Sequence, residues 1–298
     1  MGYKLGTRFP FVDQVLKGIG QIMLQENSGT GLLFLIGIFF GSTIGGIGVL
    51  IATCVGTITA IILKYNSEEI NAGLYGFSAA LVGVGLTVLF ESTFLLWVLL
   101  VVFSALATVI QHFFNQRNIA GYTFPFIILT WVLIYGIHYF TSIKPLVSSE
   151  DSLMLAVNQF FLPTNSFGEV IFQSNPLSGI LFFVAVFVGS PIAALYGVAA
   201  SVFSAIFAFY LGAPLDQILM GLFGFNAVLT SIVFAGNKKI DGLWVLIGVV
   251  LTVLLQILFI QSAIFSEFGG VLTFPFVLGT WITLFFKNRV VKFYPFKQ

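Results

Sequence analysis

Charge is what this sequence has least of. Its 298 residues include 12 Lys and Arg and 11 Asp and Glu, 8% in all, where a soluble domain carries roughly 25%. That shortage excludes a soluble enzyme and a disordered chain. A formal net charge of +1 leaves no basic field for phosphates, so nucleic acid is excluded as a partner. Cys54 is the one cysteine, so no intrachain disulfide can form. Zinc-type Cys/His spacing is absent, and no metal or cofactor is expected. The first ten residues lack the apolar core of a signal peptide, and Gly2 lacks the downstream Ser or Thr of a myristoylation site. What is present in excess is apolar surface: 58% hydrophobic residues, 36 Phe and a mean hydropathy of +1.07. Only a bilayer solvates that much.

Charge-free runs mark the membrane. They cover 27–63, 70–90, 92–116, 118–143, 170–215, 217–237, 242–266 and 268–286. A crossing takes about 20 apolar residues, so 27–63 and 170–215 each hold two segments, broken at Gly45-Gly46 and at Gly189-Ser190-Pro191. Twelve segments result: 9–24, 29–46, 48–64, 73–90, 94–114 and 122–141, then 157–172, 177–194, 196–212, 221–235, 242–264 and 272–287. The first of each six is the most polar, with Asp13, Lys17 and Gln21 in one and Asn158, Gln159 and Glu169 in the other.

The two sixes are copies. A shift of 148 pairs Gly20/Gly168, Gln25/Gln173, Asn27/Asn175, Gly31/Gly179, Phe34/Phe182, Gly41/Gly189 and Ser42/Ser190. The same shift lays Gly73-Leu74-Tyr75-Gly76-Phe77-Ser78-Ala79 on Gly221-Leu222-Phe223-Gly224-Phe225-Asn226-Ala227. A shift of 150 lays Thr123-Phe124-Pro125-Phe126 on Thr273-Phe274-Pro275-Phe276. The repeats are therefore 1–147 and 148–298, in one integral membrane unit. Both ends are basic (Lys4, Arg8; Lys287, Arg289, Lys292, Lys297), whereas the joining loop sets Lys144 against Glu150 and Asp151. Positive charge favours the cytoplasm, which puts both termini inside and the joining loop outside. Each repeat then crosses an odd number of times: about five transmembrane helices plus one re-entrant half-helix, the polar first segment being the candidate. An odd count inverts the second copy. The expected fold is an all-α polytopic membrane protein of two inverted repeats, with a central pore at the repeat interface.

Several paired residues are candidates for lining that pore, each with a bland alternative. The breaks Asn27-Ser28-Gly29 and Asn175-Pro176-Leu177 are either interhelical turns or places where helix-end carbonyls face a wet cavity. Gln21 and Glu169 share one slot; Glu169 is either an interfacial carboxylate or, like most ionisable groups near apolar runs, functional. Thr123 and Thr273 stand two residues before a proline that opens a helix, so each is an N-cap or a hydroxyl at a half-helix end facing the pore. Phe77 and Phe225 sit between paired glycines, and Leu24/Phe172 follow the Gln21/Glu169 slot by three. They are core residues or the flat walls of a slot. His112, His138 and Cys54 read as packing residues, and Trp97, Trp131, Trp244 and Trp281 as interfacial belts. Catalytic constellations and clustered intramembrane carboxylates are missing. That argues against an enzyme and for passive conduction, with an ion-coupled secondary transporter of another small polar solute as the alternative.

These paired motifs resemble the urea transporter family: Gln21-Ile22 with Asn27 through Gly31, Glu169-Val170 with Asn175 through Gly179, the two glycine-rich blocks and both Thr-Phe-Pro-Phe runs. The likeness covers nearly the whole chain. It implies a channel-like, passive path for urea through each protomer of a homotrimer in the cell membrane, possible also for related small neutral amides. It further implies a filter with threonines at Thr123 and Thr273, oxygen positions at Gln21 and Glu169, and ring slots at Leu24, Phe77, Phe172 and Phe225. This chain departs from the family in carrying aliphatic Leu24 where a ring is common.

Overall fold

In a bilayer, backbone groups are satisfied within helices or closed barrels, and helices are what form here. The structure, a computed structural model, describes residues 8–146 and 152–293. The boundary between the repeats and the charges of Lys4, Glu150, Asp151 and Lys297 lie outside the described residues, as do the side chains of Asn158 and Lys292.

The first half runs α1 (Pro10–Gly20), a 3₁₀ turn (Gln21–Met23), α2 (Ser28–Gly41), α3 (Thr43–Ile62), α4 (Ser67–Asn71), α5 (Phe77–Leu89), α6 (Phe94–Gln116) and α7 (Phe124–Phe140). The second runs α8 (Ser152–Glu169), α9 (Pro176–Gly189), α10 (Pro191–Tyr210), α11 (Leu215–Leu219), α12 (Phe225–Phe234), α13 (Lys239–Ser262), a 3₁₀ turn (Ser266–Phe268) and α14 (Phe274–Phe293). Helices α2, α3 and α4 start and stop 148 residues before α9, α10 and α11. The doubled sequence is thus a doubled order of elements.

Among the described residues, α3, α6, α10 and α13 are the helices long and apolar enough to cross a membrane alone. The polar α1 and its 3₁₀ turn meet α2 at a bend of 75°. Helices α5, α7, α9 and α12 are apolar but only 10–17 residues long, short of a crossing. Several boundaries differ from the sequence reading. The first long run breaks at Ser42, not at Gly45-Gly46, because the Ser42 hydroxyl accepts from Gly45 N at 3.0 Å and caps α3. Ser190 does the same for Ala193 N in the second half. The segments expected from 73 and 221 become helical only at Phe77 and Phe225, after turns at Gly73 (φ +77°) and Gly221 (φ +90°) that favour glycine.

The halves grip each other through reciprocal contacts. Thr30 Oγ1 donates to Ala185 O, and Ser178 Oγ to Gly37 O, both at 2.8 Å. Trp131 Nε1 donates to Gly270 O at 3.0 Å, and Trp281 Nε1 to Ala120 O at 2.8 Å. The buried rings of Phe34 and Phe182 meet edge to face at 5.4 Å. When i touches j′ and j touches i′, the partners are related by a two-fold operation. Two of the four tryptophans therefore tie the halves together, and Trp244 is buried. Outside this core the helices present large apolar side chains, such as Phe94, Phe140 and Tyr210 at more than 80% exposure, as a lipid-facing surface must.

Candidate functional site

The site begins where α1 ends. Gln25 N donates to Gly20 O and Leu24 N to Gln21 O, at 3.1 and 3.0 Å. This closes the helix as a Schellman-type turn, which needs a left-handed residue. Leu24 supplies it at φ 57°. The second half repeats the turn with Phe172, also at φ 57°, and with Gln173 N donating to Gly168 O at 3.0 Å. A bulky residue in this conformation costs about 1–2 kcal/mol, and such a cost concentrates at functional sites. Both residues are ones that the sequence marks as wall positions.

The breaks that follow are capped. Asn27 Oδ1 accepts from Gly29 N and Thr30 N (2.8 and 3.1 Å), and Asn175 Oδ1 from Leu177 N (2.9 Å). The side chains of Gln25 and Gln173 fold back to donate to Met23 O and Ile171 O (3.0 and 3.2 Å). The asparagines thus cap the helices that follow, and two of the helix-end carbonyls have side-chain partners.

Four first-half candidates come together. Gln21, Leu24, Phe77 and Thr123 line one cavity of about 180 Å³, along with Gln111, Asn115, Tyr122 and Phe276. Gln21 Nε2 donates to Ala72 O at 2.9 Å. Phe77, the first residue of α5, is 7% exposed. On the cavity wall Thr123 holds its Oγ1 2.7 Å from Thr273 Oγ1, with both residues buried. Thr123 makes no capping bond to α7, so its hydroxyl serves the meeting of the two halves. The helices that follow, α7 and α14, both begin there, bringing two positive ends together.

Of the second-half candidates only Thr273 touches this group directly. Glu169 closes α8 half-buried, with Ser174 as its side-chain hydrogen-bond partner. Phe172 packs edge-on against Phe126, 6.1 Å between centroids. Phe225 opens α12 at the place matching Phe77, half-buried against the main core. Sequence reasoning passed over Gln111, Asn115, Tyr122 and Phe276. Phe126 and Phe276 were findable, since both close the repeated Thr-Phe-Pro-Phe motif. His112, taken as a packing residue, stacks on Tyr65 (3.5 Å, 5°) and bonds to Tyr75 through Nδ1 at 2.8 Å. Among the described residues no group of three or more His, Cys, Asp or Glu is placed to hold a metal.

With this geometry described, similarity to known proteins decides the family. The family model described as urea transporter matches residues 12–288. The chain belongs to the urea transporter family. It is 30% identical over 243 residues to "Urea transporter 1" of Capra hircus and 28% identical over 245 residues to "Urea transporter 1" of Rattus norvegicus. Each match covers 76% of this chain and 63% of the relative, so the chain spans under two-thirds of the length of the relatives it matches. A membrane protein of a transporter family has no need of catalytic groups, and the cavity offers amides, rings and hydroxyls, the means of binding a neutral polar solute.

Proposed function

We propose that this protein conducts urea passively across the cell membrane, through a narrow path that crosses the interface between inverted repeats 1–147 and 148–298. The solute enters the cavity past Gln21, Leu24 and Phe77, passes between Thr123 and Thr273, and leaves past Phe172 and Phe225 to Glu169. The observation that carries this reading is the buried Thr123–Thr273 contact at 2.7 Å, with Thr123 on the wall of a cavity that holds the other three first-half candidates. Urea is flat and neutral, with four N–H donors and one carbonyl. Rings suit its faces, amide and carboxylate oxygens suit its edges, and a threonine hydroxyl can donate or accept. Ions are excluded because shedding water without a partner costs a charge far more than it costs an amide. Related small neutral amides follow the same path. Release must be fast, so binding is weak.

The reciprocal contacts across the halves support a pseudo-two-fold axis, and the charge pattern supports laying it in the membrane plane with both termini cytoplasmic. Assembly as a homotrimer in the plasma membrane completes the proposal. Urea flux into proteoliposomes, with and without proton or sodium gradients, tests it. Downhill flux indifferent to the gradient supports a passive path. Uphill accumulation driven by an ion would replace it with coupled transport, and absence of any urea flux would remove transport of this solute altogether.

A further inference from the structure

The cavity contains three side-chain amides, each with one N–H already committed. Gln21 donates to Ala72 O (2.9 Å), Gln111 Nε2 to Asn115 Oδ1 (2.8 Å), and Asn115 Nδ2 to Glu69 Oε2 (3.1 Å). A carboxylate only accepts, so Glu69 compels Asn115 to point its nitrogen outward, and Asn115 in turn compels Gln111. Tyr75 also donates to Glu69, and His112 Nδ1 bonds to Tyr75. Ser78 Oγ reaches Gln111 Oε1 only at 3.5 Å. Each amide therefore has carbonyl acceptor capacity left for the cavity, since a carbonyl oxygen has two lone pairs.

Among the described residues the second half shows no such chain. Gln256 holds the place of Gln111, because Asn226 bonds to it as Ser78 does to Gln111. Gln256 is 1% exposed, accepts from Asn226 and donates to the backbone at Leu222 O, so its nitrogen is held by a main-chain carbonyl and not through an amide by a carboxylate. The residues matching Glu69, Tyr75, His112 and Asn115 are Gln217, Phe223, Ile257 and Ile260, and Phe223 and Ile257 pack in an apolar cluster.

We infer that the Glu69–Asn115–Gln111 chain makes one mouth of the path, and not the other, a receiving site for neutral solutes rich in N–H donors. Gln21, Gln111 and Asn115 offer oxygen to the solute, while Glu69 is a positioning residue that never touches it. This rests on the urea-conducting reading above. An amide free to flip presents nitrogen to an N–H donor half the time, which weakens binding about twofold, whereas losing one ordinary hydrogen bond outright weakens it about fivefold.

The test is urea flux against concentration in proteoliposomes for the wild type, Glu69→Gln, Asn115→Ala, Gln111→Leu and, as the second-half control, Gln217→Ala. Asn115→Ala and Gln111→Leu are expected to raise half-saturating urea about fivefold and Glu69→Gln about twofold, all with maximal flux within about twofold, and Gln217→Ala to leave both unchanged. The preference for urea over formamide, which has half as many N–H donors, should fall in the same three. Unchanged half-saturation in the chain variants overturns the inference, as does an equal rise in Gln217→Ala. Should Glu69→Gln lose its folded melting transition, Gln111→Leu, which leaves the Glu69–Tyr75 bond intact, decides alone. A wild type that passes no urea would instead overturn the conducting reading, and this inference with it.

Discussion

Removing one hydroxyl from the threonine pair is the sharpest perturbation available. Thr123→Val keeps shape and volume but deletes the oxygen that lies 2.7 Å from Thr273 Oγ1. Both residues are less than 5% exposed, so water cannot easily replace what is lost. For the fold the cost is one buried hydroxyl pair, about 1 kcal/mol, and the remaining hydroxyl can turn to another acceptor. For a solute at the neck the cost is greater, because a buried donor or acceptor without a partner carries a penalty of about 1–3 kcal/mol. At 1.36 kcal/mol per tenfold in rate, the flux should fall by about 5-fold to 150-fold.

Stopped-flow light scattering on urea-loaded proteoliposomes measures that rate, and thermal melting in detergent reports the fold. Thr123→Ser keeps the hydroxyl and should stay within about threefold of wild type. Thr273→Val should match Thr123→Val, since the two residues face each other across the same neck. Folded Thr123→Val and Thr273→Val proteins that conduct at the wild-type rate would refute the reasoning and move the solute path away from this contact.

Phe225→Ala should loosen the slot on the second half, so that the flux ratios of thiourea, urea and acetamide converge; unchanged ratios would place Phe225 in the core only. Glu169→Gln should keep flux within about threefold, because Gln21 fills the matching slot with an amide oxygen. A loss above about tenfold would show that the charge itself is used. Gly179→Ala should lower the detergent melting temperature, because a Cβ there would lie 2.4 Å from Thr164 O where α9 crosses α8. Overpacking of that kind costs about 1–3 kcal/mol, and a melt equal to wild type would contradict the close crossing.

The membrane class and the doubled organisation were legible because both are written in residue type at fixed spacing. Hydropathy marks runs without charge, and the glycine, asparagine and serine pairs mark caps and turns that the structure uses at both copies. Ser42 shows the limit. Two adjacent glycines are a strong break signal, yet α3 runs straight through Gly45-Gly46, because one hydroxyl three residues before Gly45 was enough to start the helix. Short apolar helices are the other limit. Nothing in the composition of 73–90 distinguishes a full crossing from a turn followed by the half-length α5.

What stayed illegible at the site has a geometric cause. Comparing halves at shifts of 148 and 150 finds Gln21/Glu169, Phe77/Phe225 and Thr123/Thr273, but these are not the only registers. Helix α12 ends three residues early relative to α5, which moves the α6/α13 pair to a shift of 145, and a longer connection with its own 3₁₀ turn then restores the count to 150 at α7/α14. Gln111 and Gln256 match only at that intermediate shift. A search for matched pairs also discards positions where the copies differ, and Asn115 with Ile260, or Glu69 with Gln217, is such a position. In a protein built from two copies, agreement between the copies identifies the shared neck, where one solute must meet both. Disagreement identifies the mouths, which face different solutions and have no physical reason to be alike.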